Sequence, residues 1–195
     1  MDSARDPGSR RALLERAQAG DRRAAESLLR ELMPRVRNLV RYLVRGDDEV
    51  DDMAQQAMVA ILKGLPGYRG EGSFRAWADR ITVRETLAYV RRGRRERERR
   101  RDAAPELRLV DAHPGTDRYA QRRDLARLLD GLPDAQREVL VLHHVVGLSV
   151  PEVAASLGVP FDTAKSRLRL GTKKLRASAR EHGFGERARA RGERR

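Results

Sequence analysis

The chain is predicted to be all-α: two small helical domains joined by a flexible linker, the C-terminal one a helix-turn-helix. Three observations predict this. Apolar residues recur three and four positions apart along most of the 195 residues, and no stretch alternates apolar and polar as a half-buried strand would. The segment Asp102 to Thr116, with Pro105, Pro114 and Gly115, has no clear period and divides the chain. Towards the C-terminal end a short capped helix, a glycine and a strongly basic helix follow one another.

Composition narrows the function classes. Hydrophobic residues make up 39% and aromatics only 4%, so small aliphatic side chains must pack short helices closely. The formal net charge is +13 and Arg dominates it. Arg presents a planar fork that matches phosphate, so an excess this large predicts a polyanionic partner bound in a salt-sensitive way. The plainer reading, codon bias of a GC-rich genome, would raise Arg everywhere and does not predict its clustering. The absence of Cys excludes disulfides and thiolate metal sites, and the four His lack zinc-ligand spacing. No apolar run approaches the ~20 residues of a membrane span, and Met1 to Arg11 lacks an apolar signal region, so a soluble cytoplasmic protein is expected.

In order along the chain, residues 1–9 read as a disordered lead. A first domain spans 10–96. Leu13, Leu14 and Ala17 share a helical face, and Gly20-Asp21 stops that helix and caps the next. Leu28, Leu32, Val36, Leu39, Val40 and Leu43 continue at helical spacing, with Pro34 as an expected kink and Gly46 as the end. Asp47, Asp48, Glu49, Asp51 and Asp52 suit a helix N-terminus, and that helix continues through Met53, Ala57, Ile61 and Leu62. Leu65 to Ser73 carries Pro66, Gly67, Gly70 and Gly72 and reads as a loop. Ser73 caps a further helix, whose Phe74, Trp77 and Ile81 share a face and are expected in the core. Arg91 to Arg101 holds eight Arg against two Glu, an excess of six positive charges. The linker is placed at 97–118, a second domain at 119–182 and a basic tail at 183–195.

In the second domain, Gly131-Leu132-Pro133-Asp134 breaks one helix and starts another that ends at Gly147. Ser149-Val150-Pro151-Glu152 has the form of a capping box: Ser149 caps the amide at Glu152, Glu152 reaches back, and Pro151 is tolerated in the first turn. Gly158 supplies the left-handed turn, and a basic helix beginning near Asp162 carries Lys165, Ser166, Arg167, Arg169, Lys173, Lys174 and Arg176. In a helix-turn-helix such a second helix enters the major groove of DNA. An ordinary helical hairpin with a basic surface is the plainer alternative. His143 and His144 are adjacent; one is expected near the surface and the other half-buried, with no function assigned.

Leu132-Pro133, Arg137, Gly147-Leu148-Ser149, Glu152-Val153-Ala154, Leu157-Gly158-Val159 and Thr163-Ala164-Lys165-Ser166-Arg167-Leu168 together resemble the fourth conserved region of bacterial sigma factors, which reads the minus-thirty-five promoter element. Asp51-Asp52-Met53-Ala54-Gln55-Gln56, Leu65-Pro66-Gly67-Tyr68-Arg69-Gly70, Phe74-Arg75-Ala76-Trp77 and the basic end Val90-Arg91-Arg92, Arg94-Arg95 resemble the second conserved region. Two such regions with only a linker between them are similar to the compact extracytoplasmic-function group. The resemblance spans roughly Arg10 to Arg180. It departs from the common pattern at Gln56, Arg84, Ala88, Asp162, Leu170 and Thr172.

The resemblance implies a transcription initiation factor without catalytic residues, metal or cofactor. Its partners would be core RNA polymerase and promoter DNA, with an anti-sigma protein as a further candidate and no membrane insertion. Asp51, Asp52, Gln55 and Gln56 would face the polymerase clamp helices; helix-dipole stabilisation is the plainer role for the acidic stretch. In the family, the loop Leu65 to Ser73 helps capture a flipped minus-ten base, which puts Tyr68 forward as a stacking surface beside Arg69. Arg91, Arg92, Arg94 and Arg95 would hold phosphates near the melted segment, against the alternative of a solvated helix end. Thr163, Lys165, Ser166, Arg167, Arg169 and Lys173 would hold the minus-thirty-five element. Two other readings remain: a helix-turn-helix regulator that is not a polymerase subunit, and a metal-dependent nuclease built on Asp47 to Asp52. The second is weak because consecutive carboxylates fan around a helix and do not converge.

Overall fold

The computed structural model describes residues 7–45, 47–99 and 117–181. The lead before Pro7, Gly46, the segment 100–116 and the tail 182–195 lie outside the described residues, so the expectations placed there rest on sequence alone. The chain divides into two compact units, Met1–Val110 and Asp111–Arg195. All the regular structure among the described residues is helical.

The first unit contains α1 (Pro7–Gln18), α2 (Arg22–Leu43), α3 (Val50–Gly64) and α4 (Phe74–Arg99). α1 begins at Pro7, inside the stretch expected to be a loose lead; Pro fits the first helical turn, where its missing N–H has no partner to lose. Gly20 takes φ +92°, and the Asp21 side chain then accepts from the backbone N–H groups of Arg23 and Ala24. α2 is continuous through Pro34, and the Asn38 amide donates to the Pro34 carbonyl at 2.5 Å. Leu28, Leu32, Val36 and Val40 of α2 meet Met53, Ala57 and Ile61 of α3 and Ala78 and Ile81 of α4 in one core, which Ala17 of α1 joins. Each large aliphatic side chain so buried stabilises the fold by about 1.5–3 kcal/mol. Ser73 accepts from the Ala76 N–H at 3.1 Å and starts α4, which runs as one helix past the expected boundary at 96 to Arg99.

One buried ion pair crosses this core. Arg35 on α2 donates to both carboxylate oxygens of Asp79 on α4, at 2.7 and 2.9 Å from Nε. Asp79 is 3% exposed. A carboxylate this deep needs a partner, and the two-pronged guanidinium supplies it.

The second unit contains α5 (Asp117–Asp130), α6 (Asp134–Leu140), α7 (Val150–Leu157) and α8 (Phe161–Glu181). Arg137 of α6 is 1% exposed. Its Nε donates to the Leu129 carbonyl at 3.2 Å and its guanidinium pairs with Asp130, so one side chain ties α6 to the C-terminal end of α5. Leu128, Leu129, Leu132, Val139, Leu140, Leu142, Val153 and Ala164 are buried here.

The helix expected to run to Gly147 changes character on the way. After Leu140 the segment Val141–Val146 is π-helical, with bonds that skip one residue more than in an α-helix. It closes on Gly147 at φ +88°, and the Leu142 carbonyl accepts from both Gly147 and Leu148. Glu152 then accepts from the Ser149 N–H at 2.8 Å and the Ser149 hydroxyl at 2.7 Å, holding the start of α7. Gly158 at φ +66° makes the turn into α8.

Candidate functional site

On α3, Asp52, Gln55 and Gln56 are exposed, one turn apart along one face. Asp51 is exposed but bonded: Arg37 of α2 donates to it at 2.7 Å, and Arg41 likewise holds Asp47 at 2.5 Å. Two of the acidic residues are therefore tied back to α2. The same face continues through Val59 and Leu62, two large apolar side chains left in solvent. Sequence reasoning missed them. The signal is present, because they follow Asp52 and Gln55 at helical spacing, yet apolar type alone assigns Leu62 to the core pattern. Among the described residues, no three His, Asp or Glu side chains group as metal ligands.

The loop after α3 begins with a 3₁₀ turn, Leu65–Gly67. Tyr68 corrects an expectation: it is 8% exposed, not open for stacking. Its ring packs against Phe74 and Trp77 at centroid distances of 5.5 and 5.2 Å, and its hydroxyl donates to the Gly72 carbonyl at 2.7 Å. Burial of a large ring with its polar end satisfied outweighs leaving it in solvent. The Gln18 amide of α1 adds a second tie, donating to the carbonyls of Leu65 at 3.2 Å and Tyr68 at 2.7 Å. Arg69 remains exposed at the tip. Arg91, Arg92 and Arg95 are exposed and Arg94 is half-buried on α4, so the basic run is a continuation of the helix that carries Trp77.

On α8 the side chains sort by face. Ala164 and Gly171 are buried and Leu168 and Leu175 half-buried, forming the inward stripe. A Cβ at Gly171 would lie 3.0 Å from Leu140 Cδ1 and 3.2 Å from Gln136 Cβ, so this glycine lets α8 approach α6 closely. Lys165, Ser166, Arg169 and Lys173 are exposed, while Thr163 and Arg167 are half-buried. Asp162 stands exposed in the first turn. His143 is half-buried and His144 exposed, their rings 4.8 Å apart edge-to-face. His143 Nδ1 donates to the Leu148 carbonyl at 2.7 Å. Partial burial, with smaller contributions from the neighbouring His143 and Arg176 charges, holds the His144 pKa below the ordinary His value.

The family model Sigma-70 region 2 matches residues 28–96, and Sigma-70, region 4 matches residues 122–175. The ECF RNA polymerase sigma factor SigM of Mycobacterium tuberculosis is 33% identical over 152 residues, 76% of this chain and 74% of that protein. The ECF RNA polymerase sigma-E factor of Escherichia coli K12 is 30% identical over 167 residues, 80% of this chain and 86% of that protein. Among solved structures, CnrH in complex with the cytosolic domain of CnrY is similar at TM-score 0.55 and 26% identity, over 88% of this chain and 97% of that one. The fold is shared as well by the sigma factor RpoE of Bartonella quintana, solved with the anti-sigma factor NepR, at TM-score 0.56 and 23% identity over 78% and 94%. With a region 2 on α2 to α4 and a region 4 on α5 to α8, the chain belongs to the extracytoplasmic-function sigma factors, which bind core RNA polymerase and direct promoter recognition.

Proposed function

We propose that the α3 face Asp52, Gln55 and Gln56, extended by Val59 and Leu62, docks on the polymerase clamp; that Arg69, Arg91, Arg92, Arg94 and Arg95 hold phosphates around the minus-ten segment; and that α8 reads the minus-thirty-five element. Tyr68 serves in this scheme by shaping the loop that presents Arg69. The chain has no catalytic role of its own, needs no cofactor and works in the cytoplasm. An anti-sigma protein is its further partner: the similar CnrH was solved with the cytosolic domain of CnrY, and RpoE with the anti-sigma factor NepR.

The observation that carries the reading is the sorting of α8, with Lys165, Ser166, Arg169 and Lys173 outward and Ala164, Leu168, Gly171 and Leu175 inward. Lys165 and Arg169 lie four residues apart on one face, where both reach base edges, while Arg167 lies further round and holds phosphate. Two measurements test it. Replacing Asp52, Gln55 and Gln56 together by Ala keeps good helix formers and should weaken binding in a titration with core polymerase. In a promoter-library selection, Lys165→Ala and Arg169→Ala should each shift the preferred minus-thirty-five base at a cost of about 1–3 kcal/mol, and Arg167→Ala should weaken all sequences alike. Unchanged preference in both outward variants removes α8 as the reader.

A further inference from the structure

Leu170 does not fit the sorting of α8. It is 40% exposed, although it sits in a helix whose other large aliphatic residues, Leu168 and Leu175, turn towards the domain interior. One turn before it on the helix surface stand Ser166 and Arg167, and one turn after it Lys173 and Lys174. An apolar side chain flanked by three cations and a hydroxyl has no apolar neighbour one turn away on its own helix face. The flanking cations exclude an apolar partner that would have to bury their charge, but they suit a surface lined with phosphates whose floor offers apolar groups. The major groove of DNA is such a surface. Its one apolar feature is the 5-methyl group of thymine.

We propose that Leu170 is a specificity-determining residue that packs on a thymine methyl in the minus-thirty-five element, beside the groups read by Ser166 and Lys173. The assignment rests on α8 being the reader. Leu170 accepts no hydrogen bond and donates none, so it selects thymine over cytosine by contact area alone. Burying one methyl group corresponds to a preference of roughly 3- to 5-fold. An Arg or Lys here would instead favour guanine.

The test uses the complete chain assembled with core polymerase. A promoter duplex is recovered from a randomised library by this holoenzyme. Each thymine of its upstream element is then replaced singly by deoxyuridine, which removes the methyl and keeps every hydrogen-bonding group. One thymine should show a loss of roughly 3- to 5-fold with the native chain, and the same replacement should have no effect with Leu170→Ala. Leu170→Met, which keeps apolar contact, should retain part of the discrimination. The proposal is overturned by an upstream element without thymine, by no methyl effect at any thymine, or by a methyl effect that persists in Leu170→Ala. A loss in Leu170→Ala that is equal on thymine and deoxyuridine duplexes also overturns it, and points to a protein contact. Lys165→Ala and Arg169→Ala serve as controls. If both leave the library preference unchanged, α8 is not the reader, and that failure is distinct from a missing methyl effect in a chain whose α8 does select bases.

Discussion

Arg35 and Asp79 show how a single ion pair secures the N-terminal unit. The pair joins α2 to α4, and the Asp79 side chain is almost wholly enclosed while Arg35 keeps 27% of its side chain exposed. Removing one partner from a buried pair costs about 3–5 kcal/mol, and the partial exposure of Arg35 lowers the expectation for Asp79→Ala to about 2–3 kcal/mol in urea unfolding. The double replacement Arg35→Met with Asp79→Leu should recover most of that loss, because neither charge is then stranded. His144 gives a prediction in pH. Its folded-state pKa is depressed from 6.5, so the unfolded chain takes up a proton that the folded chain resists. The associated stability is present above the unfolded-state value and is lost as pH falls through it. The melting temperature of the C-terminal unit should therefore decline between about pH 7 and pH 5, and His144→Gln should remove that part of the decline.

At the level of helices, Gly171 sets the distance between α6 and α8. Gly171→Leu would drive a branched side chain against Leu140 and Gln136, and overpacking of this kind costs about 1–3 kcal/mol. Chemical denaturation should show the destabilisation in the C-terminal unit, with α8 displaced and promoter binding weakened together. The helix starts and stops are legible in the sequence because they are local: Asp21, Ser73, Ser149 with Glu152, Gly147 and Gly158 act within a few residues of themselves. The features that escape depend on partners far along the chain. Arg35 and Asp79 are 44 residues apart, and Gln18 lies 50 residues before Tyr68. The π-helical segment keeps the same apolar residues as an α-helix would and shifts only its hydrogen-bond register, which residue types do not record. Tyr68 misleads for the same reason: a Gly-rich loop reads as exposed until Phe74 and Trp77 are seen to fold back over the ring.

Across the molecule, a charge of +13 favours association with a polyanion such as DNA. Arg91, Arg92, Arg94 and Arg95 carry part of it on α4, the helix whose Phe74, Ala78 and Ile81 lie in the first core. Replacing Arg91, Arg92, Arg94 and Arg95 by Gln should reduce open-complex formation by a similar factor on every promoter. It should also flatten the salt dependence by about one unit of slope for each phosphate no longer neutralised. A defect confined to one promoter would mean that these residues read bases. The two-unit organisation is plain from the sequence, since the helical periods stop at the Pro- and Gly-bearing stretch and resume at Asp117.

The tie between Gln18 and the loop after α3 bears on how this protein can be dissected. The matched family region opens at residue 28, ten residues after Gln18, and α1 lies wholly before it. A fragment or chimera cut at that boundary would keep the sequence of the loop after α3 and discard the amide that holds its Leu65 and Tyr68 carbonyls. It would also discard Ala17 and Ala24 from the core. Transplanting this region into another sigma factor therefore calls for a cut before Pro7, so that the loop travels with its own tether.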